Sequence, residues 1–394
     1  MPGFELFGAE ERAEVQDVLQ SGVLMRYGFD GARQGHWKSR ELETALAERC
    51  RVRHAHVCSS GTSAVLTALA GCGVGAGDEV IVPPFTFVAD IEAVLWLGAV
   101  PVFAEIDATL CLDPKSVEAH VTPRTKAVLV VHMCGAMART DALATLCQER
   151  GITLIEDVAQ ALGGSQNGRP LGTFGRAGTF SFDYVKTVTC GEGGAVITND
   201  AELHEVVQAF TDHGHDHLGR DRGADLHPIL GLNFRISELH AAVGLAQLRK
   251  LDLILDRQRT HKRFLKEGLA QVPKLTFRDL PDPAGDSATF LSFFLPTEDE
   301  ARSAARALAE AGVDGCFYWY DNNWHYHRQW YHFHELKAPG ELAVRKAGWL
   351  PHLRDIQVPQ SDAIMGRTIC MLIKLGWTED DLRQRLEMMR KVLA

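Results

Sequence analysis

Lys186 lies in "TFSFDYVKTVTCGEGGAVIT" (179–198), between an apolar, β-prone run and a glycine-rich turn. Exposed to water, it would need no explanation. Held in a partly dry pocket, its pKa falls and its amine becomes a nucleophile. Asp157 ends another apolar run, "ITLIED", and so sits at the carboxyl edge of a strand, where open α/β sheets bind ligands. A carboxylate there can hold a protonated ring nitrogen, although a strand-end Asp can equally cap the next turn. In "CSSGTSAV" (58–65) a strand gives way to a small-residue turn and a helix start, whose free N–H groups suit an anion. Gly61 allows close approach, and Ser60 and Thr62 carry hydroxyls. The same residues also make an ordinary helix cap. An amine, a ring-nitrogen partner and an anion cradle are together what pyridoxal phosphate requires. Phe87, in "PPFTFVAD", can stack on such a ring or belong to the core.

These residues need a scaffold that brings strand ends together. From about residue 50 to 200, short apolar runs alternate with helical patterns, the rhythm of a largely parallel sheet covered by helices. Residues 237–256 read as one long helix, apolar on most sides in its first half and so buried between domains or subunits. "VPKLTFRDLPDPAGD" breaks the pattern and opens a smaller region, with a strand in "ATFLSFFLP", a helix in "DEARSAARALAEAG" and a last helix from about Thr378. The division falls at 1–250, a large cofactor-binding domain, and 251–394, a linking helix with a small C-terminal domain. "GCGVGAG" (71–77) spells a dinucleotide fingerprint, but it follows a helix and precedes a strand, so it reads as a loop.

Composition excludes several classes. The 394 residues are too many for one simple core, and 46% hydrophobic with 23% charged content is that of an ordinary globular protein. A net charge of −10 with scattered basic residues argues against nucleic acid or an anionic membrane as partner. Nine cysteines, none spaced as CxxC, indicate neither a zinc site nor a disulfide framework. The acidic N-terminus lacks a signal-peptide core, and no apolar stretch is long enough to span a membrane. The reading is a reduced, cytoplasmic enzyme.

In order along nearly the whole chain, "SSGTSA", "GDEVIVPPFTFVA", "IEDVAQALGG", "FSFDYVKTVTCGEGGAV" and "GLNFRISELHAA" resemble the sugar aminotransferases of the DegT/DnrJ/EryC1/StrS family. The resemblance implies the α/β fold of pyridoxal-phosphate transferases of fold type I, a large domain with a mostly parallel sheet plus a smaller C-terminal α/β domain. It implies that Lys186 carries the cofactor, which disfavours the branch that has histidine there and dehydrates keto-deoxy sugars. It gives Asp157 the pyridine nitrogen and Gln160, where some relatives have histidine, the ring hydroxyl. Gly61, Thr62 and Ser181 would hold the phosphate, and Phe87 would stack on the ring. Asn233, with Arg235, would reach the phosphate of a neighbouring subunit, making a homodimer with shared sites.

The acceptor should be read by the segments that vary. "CFYWYDNNWHYHRQWYHF" (316–333) is dense in Trp, Tyr and His, suited to a sugar or to a plain domain interface. "DHGHDHLGRDRG" (212–223) offers His213, His215 and His217, whose alternation in a glycine-containing loop disfavours a metal site. With Arg220 and Arg222 they would better serve an anionic substrate group, or they form a solvated loop. With "FDGARQGHWKSRELE" and "SDAIMGRTICMLIKLGWT", these segments resemble the branch of the family that takes L-glutamate as donor. That branch aminates the C8 aldehyde of an oxidised 3-deoxy-manno-octulosonate, a free sugar acid, for lipopolysaccharide. A nucleotide-linked keto-deoxy sugar is the alternative acceptor.

Overall fold

The computed structural model describes residues 3–219 and 223–394. Arg220 and Arg222, assigned above to an anionic group, lie outside the described residues. Among those described, the larger sheet is built from β1 (His54–Cys58), β2 (Glu79–Val82), β3 (Val100–Phe103), β4 (Thr125–Val131) and β5 (Thr153–Asp157). A two-stranded hairpin, β6 (Ser165–Gln166) and β7 (Arg169–Pro170), precedes its last members, β8 (Ala177–Ser181) and β9 (Gly194–Thr198). The strand order is β1-β9-β8-β5-β4-β2-β3. Pairing is parallel from β8 across to β3, and β9 alone runs antiparallel between β8 and β1. The strands β1, β2, β4, β5 and β8 therefore all end at one edge, each buried along nearly its whole length. A second sheet of β10 (Thr276–Phe277), β11 (Phe290–Phe294), β12 (Cys316–Phe317) and β13 (Thr368–Leu372) is antiparallel, in the order β10-β11-β13-β12.

Seven helices accompany the larger sheet: α1 (Ala9–Ser21), α2 (Lys38–Cys50), α3 (Gly61–Gly71), α4 (Ala89–Trp96), α5 (Pro114–Ala119), α6 (Thr140–Arg150) and α7 (Ala201–Thr211). The helix expected over 237–256 is two helices instead. α8 (Glu238–Arg249) ends at Lys250 and α9 (Leu251–Leu269) begins there. The Lys250 backbone remains near helical values (φ −89, ψ −2), while its amine is drawn to Glu11 (2.6 Å) and the Leu6 carbonyl (2.9 Å). No side chain caps the start of α9, and the Lys250 contacts lie at the junction of the two helices. α8 buries Ala241, Ala242, Gly244, Leu245 and Ala246. A Cβ on Gly244 would come within 3.0 Å of Leu42, so α8 lies close against α2. All nine cysteines are free. No described helix is long and apolar enough to cross a membrane.

Candidate active site

The glycine-rich turn is closed by its own serines. Ser60 caps α3 by accepting from Ser63 N–H (3.0 Å), and Ser63 Oγ accepts from Ser60 N–H (2.9 Å). Ser60 is therefore committed to the cap, and the Gly61 and Thr62 N–H groups remain as the open donors of the first turn. Gly61 is a steric necessity, because a Cβ there would meet Ser181 Cβ at 2.6 Å. Gly194 is another, since its Cβ would lie 2.2 Å from the Ser60 carbonyl. The ends of β1 and β8 and the start of β9 thus meet at the first turn of α3, where the open N–H groups offer a cradle for an anion, with Ser181 against Gly61 and Thr62 exposed.

Asp157 ends β5 at the same edge and is 7% exposed. Its Oδ1 accepts from Ala159 N–H (2.8 Å). Burial pushes its carboxyl up, against the pull of that N–H, Lys186, His132 and a hydrogen bond from Asp90. The neighbouring Glu156 faces the other side of the sheet and is fully satisfied, by Gly172 N–H (2.8 Å), Phe174 N–H (2.6 Å), Gly175 N–H (2.8 Å) and His132 Nε2 (3.1 Å). Because Ala138 N–H donates to His132 Nδ1 (3.2 Å), the ring proton sits on Nε2 toward Glu156.

Lys186 hangs from the loop joining β8 to β9. Its N–H donates to the Asp183 carbonyl (2.9 Å), and its carbonyl accepts from Gly3 N–H (3.1 Å), which ties the N-terminal turn to the loop. The stem keeps some solvent contact while the amine lies deep. Burial lowers its pKa, opposed by the charges of Asp157, Asp183 and Asp90. An amine whose pKa is lowered beside a buried carboxylate is more readily a nucleophile and proton carrier than an exposed lysine.

The other expected residues fall around this pair. Phe87 is 42% exposed beside the site and leans on the His325 ring at 5.6 Å. Gln160 is buried, and its Oε1 takes Cys134 N–H (2.8 Å), so its amide NH2 is the group left to donate. Asn233 is exposed. Arg235 pairs with the buried Asp212 of its own chain through a short hydrogen bond, and its backbone bridges Cys58 at the end of β1. Neither Asn233 nor Arg235 is drawn into the cradle of its own chain.

The acceptor-side segments divide. The 316–333 stretch crosses onto the larger sheet, with Thr86 N–H donating to the His325 carbonyl (2.9 Å) and His327 N–H to the Pro84 carbonyl (3.1 Å). Trp319, Tyr320, Tyr326, Trp330 and Phe333 are buried, so most of the aromatic density is packing between the two sheets. His325 lies beside Phe87, and Trp324 is exposed next to it, 6.4 Å from ring to ring. Burial holds the His325 ring neutral, with a pKa down at about 3, and its Nδ1 is buried without a partner. In the 212–227 loop the histidines are used internally. His217 stacks on Tyr27 (4.3 Å) and faces Asp212 (3.6 Å), while His215 packs at a tilt against His227 (4.1 Å) and faces Asp225 (3.5 Å), and His213 is exposed. Among the described residues no group of three or more His, Cys, Asp or Glu is arranged to hold a metal ion.

The residues that reading from sequence missed are Asp90, Thr86 and His325. Asp90 is three residues past Phe87, in the first turn of α4, and is 1% exposed against Asp157. The available signal was an acid in the mostly apolar helix ADIEAVLW, which Asp90 shares with Glu92.

The group these residues fit is pyridoxal phosphate. The N–H groups and Ser181 suit its phosphate, Asp157 its ring nitrogen, the Gln160 amide its ring oxygen and the Lys186 amine its aldehyde. Comparison with known proteins agrees. An L-glutamine:2-deoxy-scyllo-inosose aminotransferase of Micromonospora echinospora is 42% identical over 266 residues, 66% of this chain and 63% of that protein. The chain therefore spans less than two thirds of that relative's length. A UDP-N-acetyl-3-dehydro-alpha-D-glucosamine 3-aminotransferase of Acidithiobacillus ferrooxidans is 35% identical over 368 residues, 91% of this chain and 95% of its own. The crystal structure of an aminotransferase from Psychrobacter cryohalolentis superposes with a TM-score of 0.84 at 27% identity, covering 98% and 97% of the two chains. The model of the DegT/DnrJ/EryC1/StrS aminotransferase family matches residues 6–369, and the chain belongs to that family.

Proposed function

We propose that the protein is a sugar aminotransferase that moves the amino group of L-glutamate onto a carbonyl of a sugar. The observation that carries this is the Lys186 amine, its pKa lowered by burial, facing the buried Asp157 beside an anion cradle. Bound there, pyridoxal phosphate supplies the electron sink that lets the donor's α-proton leave. Asp157 holds the proton on the ring nitrogen. Lys186 Nζ takes the proton from the donor's α-carbon and returns one in the reverse half-reaction, as base and then acid. The Gly61 and Thr62 N–H groups fix the phosphate, and the packed aromatic segment keeps water from the inner wall.

For the acceptor we favour the C8 aldehyde of 3,8-dideoxy-8-oxo-manno-octulosonate, giving 8-amino-3,8-dideoxy-manno-octulosonate and 2-oxoglutarate for lipopolysaccharide. The support is the likeness of the variable segments, among them "GCFYWYDNNWHY" and "DHGHDHLGRDRG". The inosose relative is named for a ketone that carries no nucleotide, so an acceptor of that kind has precedent. A nucleotide-linked keto sugar is the second reading, favoured by the name of the relative that matches nearly end to end. We further infer a homodimer, with Asn233 and Arg235 reaching the partner's phosphate. Leu218, Leu226, Leu230 and Leu232 stay exposed on the strip leading to Asn233, an apolar patch that a second copy would cover.

The test is spectroscopic. Protein loaded with pyridoxal phosphate should show the visible band of the lysine-bound cofactor, bleach with L-glutamate, and recover with the octulosonate aldehyde. Recovery with a nucleotide-linked keto sugar alone would select the second reading. A band indifferent to glutamate would reject the donor, and no band at all would reject the enzyme.

A further inference from the structure

Asp90 is a buried acid that the reaction as described does not use. Thr86, itself fully buried, donates its hydroxyl to Asp90 Oδ2 through a short hydrogen bond. The other oxygen, Oδ1, is buried and accepts nothing. The groups that face the carboxyl are Thr86 from the loop before α4, Asp157 from the end of β5 at hydrogen-bond range, and the Lys186 amine from the β8–β9 loop. A carboxylate with an empty oxygen aimed among these is a poor ion. A carboxylic acid with that oxygen protonated has a partner to give to.

We propose that Asp90 is a positioning residue, a neutral carboxylic acid that donates a hydrogen bond to the Asp157 carboxylate, so that the pair carries one charge and Asp157 remains the anion. The inference rests on the cofactor reading above for its consequence, though not for its geometry. Two carboxylates in contact in a dry site do not both ionise. Burial and the charge of Asp157 drive Asp90 far above the ordinary carboxyl range, which Thr86 and Lys186 only partly offset. Asp157 keeps the charge because Ala159 N–H donates to it and the Lys186 amine lies near enough to favour its anion, while Asp90 has only the Thr86 hydroxyl as a donor. The hydrogen bond makes Asp157 less basic, so a shared proton stays on the ring nitrogen rather than on Asp157. Asn at position 90 preserves a neutral donor of the same shape, whereas Ala removes it.

The full-length protein, loaded and stripped of pyridoxal phosphate, would be examined by infrared spectroscopy with isotope-labelled aspartate at neutral pH. The expected result is the carbonyl stretch of one neutral carboxyl in both forms, absent in Asp90→Asn and shifted in Thr86→Val. No such band in the unaltered protein, or its persistence in Asp90→Asn, overturns the proposal. Binding gives the second readout. Asp90→Asn should leave the dissociation constant for pyridoxal phosphate within about threefold, while Asp90→Ala weakens it about tenfold or more, the worth of a hydrogen bond to a charged group. Equal affinities for the two variants overturn the positioning role. If the unaltered protein fails to bind pyridoxal phosphate, the proposed function falls while the infrared band still decides the carboxyl pair.

Discussion

Two regions of this molecule are rich in charge, and they are arranged in opposite ways. Among the described residues of the 212–235 loop, acidic groups meet local partners, as Asp212 meets Arg235 and Asp225 meets His215. At the edge of the larger sheet, Asp157, Asp90 and Lys186 are drawn from three separate segments into one dry place, and their pKa values are displaced. Paired charges stabilise a loop; displaced ones store the capacity to move protons. Under the proposed function the conspicuous histidine cluster is scaffold, while the quieter carboxylates hold the chemistry.

The sharpest way to break this contrast is Lys186→Ala. Transamination should fall by about 10⁴-fold, the upper range for a lost general acid–base group, and the visible band should vanish. Assay of both half-reactions checks it, and a variant retaining the band would move the nucleophile elsewhere. Asp157→Ala should cost about 10²–10³-fold in kcat, as for removal of one preorganised charge partner, with the half-reaction with L-glutamate slowed alike. Gly61→Ala should lower stability by roughly 1–3 kcal/mol, because its Cβ has Ser181 Cβ at 2.6 Å, and should weaken binding of the cofactor. Thermal melts of the stripped protein separate the two effects. At the acceptor side, Trp324→Ala should raise the acceptor KM up to about tenfold, the worth of one stacking contact, and leave the glutamate half-reaction unchanged.

The lowered pKa of Lys186 also predicts a pH profile. Its ordinary value is 10.5, and burial brings it down, so at a given pH a larger fraction of the amine is neutral than for an exposed lysine. The rate at which the stripped protein captures pyridoxal phosphate should hold as pH falls below the ordinary lysine range and drop only when Lys186 protonates. The linked stability has the opposite direction to a salt bridge. Here the unfolded chain binds the proton more tightly, so this group's contribution rises with pH between the folded and unfolded pKa values. Lys186→Met should flatten that slope in pH-dependent melts of the stripped protein.

Much of this was legible along the chain. The strand at "ITLIED", the cap at "CSSGTSAV" and the two strands around Lys186 follow from local periodicity and turn chemistry, and each element forms where expected. The break at Lys250 was not legible. It depends on Glu11 and Leu6, more than two hundred residues away, reaching the amine. Nor could composition tell that Trp319, Tyr326 and Trp330 would be sealed inside while Trp324 stays out. An aromatic's role depends on what packs against it.

By itself the sequence determined the alternation of elements, the small residues of the turn at 60–62, and the presence of one lysine on a glycine-flanked loop, because these rest on near-neighbour sterics and hydrogen bonding. Only the tertiary structure decided that Asp90 would meet Asp157, that Lys186 would be dry, and that Ser181 would leave room for nothing larger than glycine at position 61. Ionisation and close contact depend on which distant groups the folded chain brings together and how much water it removes between them.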